Sequence, residues 1–316
     1  MNVLIIGAGA LGIGVGASLV DSGCQVDFIA RGETKDAIKS NGIARKGMFK
    51  DIIVPAGKVG VYDDYASLPE NCYDYVLITT KTTANEEVSE CLLDYSECMK
   101  DNCNIVFMQN GMGYEASFAE KFPQEMLYHS RVITGFKKEL PNESTITAHQ
   151  APILLGSIYG YDEEEIKDLA DAINNSGMPA QLEEELSKAL WAKFIYNTTL
   201  NPLGAILGKS YGELADSDYA HPIMDILIEE TFEILNASGS VTYWSSADEY
   251  RKVLFEELIP VTYEHRSSTL QDIEKKQKTE IDTLTGSLLN LASRCNVSAP
   301  VHSMVYWLIK AMEENF

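Results

Sequence analysis

A lysine and two asparagines recur every four residues in the run 191–203, as Lys193, Asn197 and Asn201. Side chains four apart share one face of an α-helix, so a cation and two neutral amides line one side of a largely apolar helix. Polar groups that face a core need partners. A positioned ammonium suits a reaction in which negative charge grows on a carbonyl oxygen, because it can donate the neutralising proton. On spacing alone, the same face equally suits a lysine whose stem lies along apolar surface while its head reaches water. A second group with chemical potential opens the chain: Gly7, Gly9 and Gly12 directly follow the apolar run 3–6, with a helix-like stretch to Asp21 and a second β-rich run after them. In that setting the first glycine permits a tight turn, the second lets backbone approach a pyrophosphate, and the third lets helix and strand pack closely. The helix N-terminus then offers unpaired N–H groups to phosphate.

Selectivity for NAD usually rests on an acid about 20 residues downstream, where it binds the ribose 2′-OH. Here that position reads Ile29-Ala30-Arg31-Gly32. The charge is inverted, and Arg31 can pair with a 2′-phosphate, so the expected cofactor is NADP(H). Ligands of open parallel sheets bind outside the carboxyl ends of the strands. Two further strand ends, at Lys81 and at Gln109-Asn110-Gly111, are therefore candidates to face the nicotinamide half of the cofactor, although each also reads as an ordinary turn.

These groups need a scaffold. Strand-like runs at 3–6, 25–29, 75–79, 105–108 and 153–155 alternate with helical stretches, the pattern of a mostly parallel sheet. From about residue 184 helical periodicity takes over, at 184–207, 221–238, 269–294 and 301–314. The expected fold is α/β, with an N-terminal Rossmann-type doubly wound parallel sheet over residues 1–180 and an all-helical C-terminal domain over 181–316. Two domains suit a length of 316 residues. The net charge of −22, from 47 acidic and 25 basic residues, repels phosphate backbones and anionic membranes, so neither nucleic acid nor membrane is an expected partner. Residues 3–20 are uncharged and long enough to mimic a membrane span, but no basic residue precedes them and they carry five glycines, which a phosphate-binding turn explains better. Six cysteines without a CxxC pair or zinc-ligand spacing suggest reduced thiols, a cytoplasmic location and no metal.

Taken together these motifs resemble the ketopantoate reductases (2-dehydropantoate 2-reductases). The resemblance runs nearly end to end, through Gly7-x-Gly9-x-x-Gly12, Arg31, Lys81, Gln109-Asn110-Gly111, Lys193-x-x-x-Asn197-x-x-x-Asn201-Pro202, Ser267-Ser268-Thr269-Leu270-Gln271-Asp272 and Thr279-Glu280-Ile281-Asp282. It implies that Lys193 is the general acid and Glu280 its carboxylate partner. It further implies that Asn110, Asn197, Asn201 and Ser268 contact substrate or nicotinamide, and that a small 2-keto acid, 2-dehydropantoate, is reduced to (R)-pantoate with NADPH on the path to pantothenate and coenzyme A. Members of the family also reduce other 2-keto acids.

The residues themselves are compatible with those roles. Glu280 borders the apolar stripe Ile281, Leu284, Leu288 and Leu291, a place for a half-buried carboxylate. Ser268 and Gln271 match a capping box, which makes Ser268 a candidate N-cap. Ser268 and Glu280 do not share one face of an ideal helix and are expected to meet a site from different heights or across a bend. The segment 137–150 carries no assignable function, and the assembly, a homodimer included, is left open. Two competing readings remain. A histidine-dependent or β-hydroxy-acid dehydrogenase is disfavoured because no histidine sits in an acid motif and no glycines precede Lys193. A non-catalytic NADP(H) sensor has no need of Lys193, Asn197, Ser268 and Glu280 together.

Overall fold

In the first strand, β1 (Asn2–Ile6), Val3 and Ile5 join one apolar layer with Val26, Phe28, Tyr75, Leu77 and Val106. Leu4 and Ile6 join a second layer with Ile29, Val76, Ile78, Ile105 and Phe107. A strand buried on both faces needs cover on both faces, which is why its sequence is continuously apolar. A computed structural model describes all residues, 1–316. The chain forms two compact units, one from Met1–Gln109 and Tyr114–Leu186, the other from Asn110–Gly113 and Ser187–Phe316. The second unit thus begins a few residues beyond the expected 180/181 boundary, and it also takes in a four-residue segment from the middle of the first.

After β1 come β2 (Gln25–Ile29), β3 (Ile43–Gly47), β4 (Ile52–Val54), β5 (Gly60–Tyr62), β6 (Tyr73–Ile78) and β7 (Met99–Phe107). β8 (Leu127–Arg131), β9 (Thr134–Lys138), β10 (Glu143–His149), β11 (Ile153–Gly156) and β12 (Ala180–Leu182) complete the set. Eight strands make the main sheet in the order β12-β11-β8-β7-β6-β1-β2-β5, parallel throughout except where β11 meets β8. The chain goes from β1 to β2 on one side and later to β6 on the other, which creates a topological switch point at β1. Helices α1 (Ala10–Asp21), α2 (Gly32–Asn41), α3 (Asn85–Asp94) and α4 (Lys167–Asn175) belong to this unit.

A second sheet, β4-β3-β10-β9, is absent from the sequence expectation. It accounts for the unassigned segment 137–150, which supplies β10 and the end of β9, and it packs on α1 opposite the main sheet. This position also divides the glycines of 3–20 between two duties. A Cβ at Gly14 would lie 2.8 Å from the Phe136 ring, and one at Gly16 would lie 2.5 Å from Phe28. These two let a helix lie between two sheets and play no part in the turn. The second sheet leaves no long apolar run in the sequence because β9 has no fully buried residue, β10 has only two, and β3 buries a charge. Arg45 is fully buried, with its guanidinium donating to the Ser176 hydroxyl and carbonyl, each at 3.0 Å, and to the Ser18 hydroxyl.

In the second unit, α5 (Leu186–Leu207) and α6 (His221–Ser238) pack through Phe194, Ile195, Leu200, Met224, Ile228 and Phe232. The helix expected over 269–294 is broken: α7 (Ser268–Glu274) ends, Lys276 takes a φ of +54°, and a π-helical turn at Asp282–Gly286 leads into α8 (Ser287–Arg294). No glycine or proline marks the break. It is held instead by a tertiary contact, since Thr279 donates through N–H and hydroxyl to Glu313 Oε1 at 2.8 and 2.6 Å. Glu313 closes α9 (Pro300–Glu313). Ser268 and Glu280 therefore stand on separate segments. No helix is long and apolar enough to cross a membrane.

Candidate active site

The first unit carries a cleft of about 270 Å³ at the carboxyl ends of β1, β2 and β6, lined among others by Gly7, Ala8, Arg31, Thr34, Thr80 and Glu87. Gly7 has φ +113°, and a Cβ there would lie 2.8 Å from the Thr80 nitrogen; one on Gly12 would lie 2.1 Å from the Gly7 oxygen. Thr79, which the sequence reading passed over, fixes the same turn by donating its hydroxyl to the Gly7 oxygen at 2.6 Å. Gly9 is different. It is the N-cap of α1, with φ −77° and no side-chain cap, and a Cβ there would meet nothing within 4 Å. That open space beside free helix N–H groups fits a pyrophosphate.

Arg31 is the N-cap of α2 at the cleft and pairs with Glu87 at 3.1 Å, both side chains being exposed. Lys81 caps a short 3₁₀ turn, Thr82–Ala84, just after β6. Nearby, Gln109 and Asn85 exchange amide hydrogen bonds at 2.9 and 2.7 Å, and Gln109 also donates to the Thr80 oxygen at 2.8 Å. This locks the ends of β6 and β7 together.

In the second unit the catalytic candidates meet at Asn110. Lys193 Nζ donates to Asn110 Oδ1 at 2.5 Å, and Asn110 Nδ2 faces Glu280 Oε2 at 3.4 Å. The amide is thus oriented by its two charged neighbours, oxygen to the cation and nitrogen to the carboxylate. Gly111 allows this arrangement. Its φ is +100°, a Cβ would lie 2.4 Å from the Thr283 oxygen, and Met112 N–H donates to that same oxygen at 3.2 Å. Glu280 sits between Thr279, tied to Glu313, and fully buried Ile281, two residues before the π-helical turn at Asp282–Gly286. Such turns recur at functional sites.

A family description, Ketopantoate reductase PanE/ApbA, matches residues 3–160, and its C-terminal counterpart matches 185–313. The chain belongs to the ketopantoate reductase family. A relative named 2-dehydropantoate 2-reductase in Aquifex aeolicus (strain VF5) is 33% identical over 314 residues, covering 99% of this chain and 97% of its own. The solved 2-dehydropantoate 2-reductase of Geobacter metallireducens GS-15 is 25% identical, with a TM-score of 0.84 over 98% of this chain and 99% of its own. A D-mandelate dehydrogenase solved with NADH and anilino(oxo)acetate shares the fold at 23% identity and a TM-score of 0.85, covering 100% and 99% of the two chains.

The remaining candidate residues are spread along α5 and α7. Asn197 is half-buried one turn beyond Lys193. Asn201, two turns on, is 3% exposed, and its Oδ1 accepts the Tyr211 hydroxyl at 2.6 Å. Burial holds that phenol protonated, well above its ordinary pKa, so it stays a donor. Ser268 is not the N-cap of α7. Ser267 takes that place, accepting from Leu270 N–H at 3.1 Å, and leaves Ser268 exposed in the first turn. The capping pattern reads one residue late because two serines stand side by side and only the buried one turns inward.

Proposed function

We propose that this member of the family is an NADPH-dependent 2-dehydropantoate 2-reductase in which Lys193 is the proton donor. The observation that carries the reading is the convergence of Lys193 and Glu280 on the Asn110 amide. Gly7, Gly9, Gly12 and Arg31 would hold a reduced nicotinamide dinucleotide, with Lys81 and Asn110 as further cofactor contacts, and the bound group would supply hydride to a ketone carbon. The residues of the chain do the rest. Asn110 and Glu280 hold the Lys193 ammonium in one orientation, and Lys193 gives a proton to the ketone oxygen as charge develops there. Asn197 and Ser268 offer polar groups to the carboxylate and hydroxyl of the substrate. Asn201 offers its amide nitrogen, its oxygen being engaged by Tyr211. Six free cysteines accord with a cytoplasmic enzyme.

Oxidation of NADPH across a panel of 2-keto acids tests the substrate. A site built to bond a hydroxyl discriminates against analogues that lack it, so kcat/KM for ketopantoate is expected to exceed that for ketoisovalerate by about 10-fold or more. The reverse order would assign the enzyme to another branched 2-keto acid. The cofactor is tested separately: Arg31→Ala is expected to weaken NADPH by roughly 10- to 150-fold and leave NADH nearly unchanged, as loss of a charge-assisted hydrogen bond to a 2′-phosphate requires. Equal losses for both cofactors would remove the NADP(H) assignment.

A further inference from the structure

β9 ends on Lys138, whose ammonium reaches the glycine turn. Nζ donates to the Ala8 oxygen at 3.1 Å and to Thr34 Oγ1 at 2.7 Å. Ala8 is the middle residue of Gly7-Ala8-Gly9, Thr34 lies in the first turn of α2, and both line the cleft that holds Arg31. The placement follows from packing. Phe136, two residues earlier and so on the same face of β9, lies against Gly14 of α1, whose N-terminus is the cradle itself. All of these residues belong to the first unit.

Neighbouring cations are matched by carboxylates: Arg31 by Glu87, Lys35 by Asp63 and Lys137 by Glu139. Both hydrogen-bond partners of Lys138 are neutral oxygens. Lys138 is exposed overall, and the partial desolvation of its ammonium pushes its pKa down, with Glu33 only partly opposing the shift. A charge held this way is stabilised most by an incoming anion, and its two contacts engage two of three N–H groups. The choice between the phosphates of a dinucleotide follows from Thr34. The pyrophosphate belongs to the N-terminus of α1, whereas the end of β2 and the first turn of α2 are where the adenosine ribose is read.

We propose that Lys138 is a second cation for the 2′-phosphate of NADP(H), closing with Arg31 and the Thr34 hydroxyl a three-sided site to which the second sheet contributes one wall. The proposal rests on the NADP(H) reading above. Dissociation constants of NADPH and NADH, measured by fluorescence titration of the full chain, test it in wild type, Lys138→Met, Lys138→Gln, Lys138→Arg and Arg31→Ala, with melting temperatures checked for each. Lys138→Met and Lys138→Gln are expected to weaken NADPH by about 10-fold or more and leave NADH within about 2-fold, as a charge-assisted contact to one phosphate predicts. Lys138→Arg should retain most of the NADPH affinity. Equal weakening of both cofactors would assign Lys138 to the shared turn and overturn the proposal, as would no change in either. If Arg31→Ala loses NADPH affinity while Lys138→Met does not, the NADP(H) reading stands and the proposal alone fails. A wild type that binds NADH as tightly as NADPH sinks the reading, and the proposal with it.

Discussion

Lys193→Ala is expected to lower kcat by about 10²- to 10⁴-fold, the usual contribution of a positioned general acid, while NADPH affinity is expected to stay close to wild type because the proposed cradle belongs to the other unit. Glu280→Ala is expected to cost less in kcat, as for a residue proposed to orient the Asn110 amide that receives the ammonium. The double variant is expected to lose little more than Lys193→Ala alone, because residues that act as one unit do not contribute additively. Removing Lys193 also deprives the Asn110 oxygen of the cation 2.5 Å away, so circular dichroism and a melting curve must show each variant folded. Single-turnover kinetics then isolates the chemical step. A folded Lys193→Ala enzyme with wild-type single-turnover rates on its best substrate would return the residue to the ordinary role of a lysine lying along a helix.

The second large effect separates space that belongs to a ligand from space that belongs to the fold. A methyl at Gly9 meets nothing within 4 Å, and the backbone there is extended at φ −77°. Gly9→Ala is therefore expected to keep its melting temperature within about 2 °C, as for a substitution that touches no packed atom. Its added carbon would stand where a pyrophosphate is proposed to approach, so NADPH and NADH are both expected to weaken, by roughly 100-fold or more. Gly12→Ala reverses the pattern in stability, because its Cβ would lie 2.1 Å from the Gly7 oxygen and 2.7 Å from Thr79 Oγ1. It should melt several degrees lower as well as lose cofactor, an overpacked site costing typically about 1–3 kcal/mol. Binding unchanged in Gly9→Ala would mean that the turn is not a cofactor cradle. Equal melting points for both variants would mean that the third glycine is not there for packing.

Local geometry was legible in the sequence wherever a single element carries it. The turn from β1 into α1 needs glycine for reasons of backbone conformation and close approach. Arg31 sits at a strand end whose position is set by the length of one βαβ unit, and Lys193 shares a helix face with Asn197 through spacing alone. Groups that depend on distant chain segments gave no such signal. Arg45 turns inward because Ser18 and Ser176, far from it in the chain, supply acceptors, so β3 did not resemble a buried strand. The break after α7 depends on Glu313, thirty-four positions from Thr279, and nothing local marks it.

What the sequence by itself determined is therefore the inventory: a dinucleotide turn, a basic residue in place of the usual acid, and a lysine with amides on one helix face. Only the tertiary structure decided which of these meet. Asn110 joins Lys193 and Glu280 from 83 and 170 positions away, and it can do so because Gly111 takes a positive φ that lets the segment lie against Thr283. It decided that Ser267, not Ser268, caps a helix end with its hydroxyl, and that Lys138 reaches the glycine turn from the edge strand of a second sheet. The physical reason is common to all of these. Helix faces and turns are set by short-range geometry, whereas the partner of a charge is chosen by whichever strand or helix packing brings within hydrogen-bond reach of it.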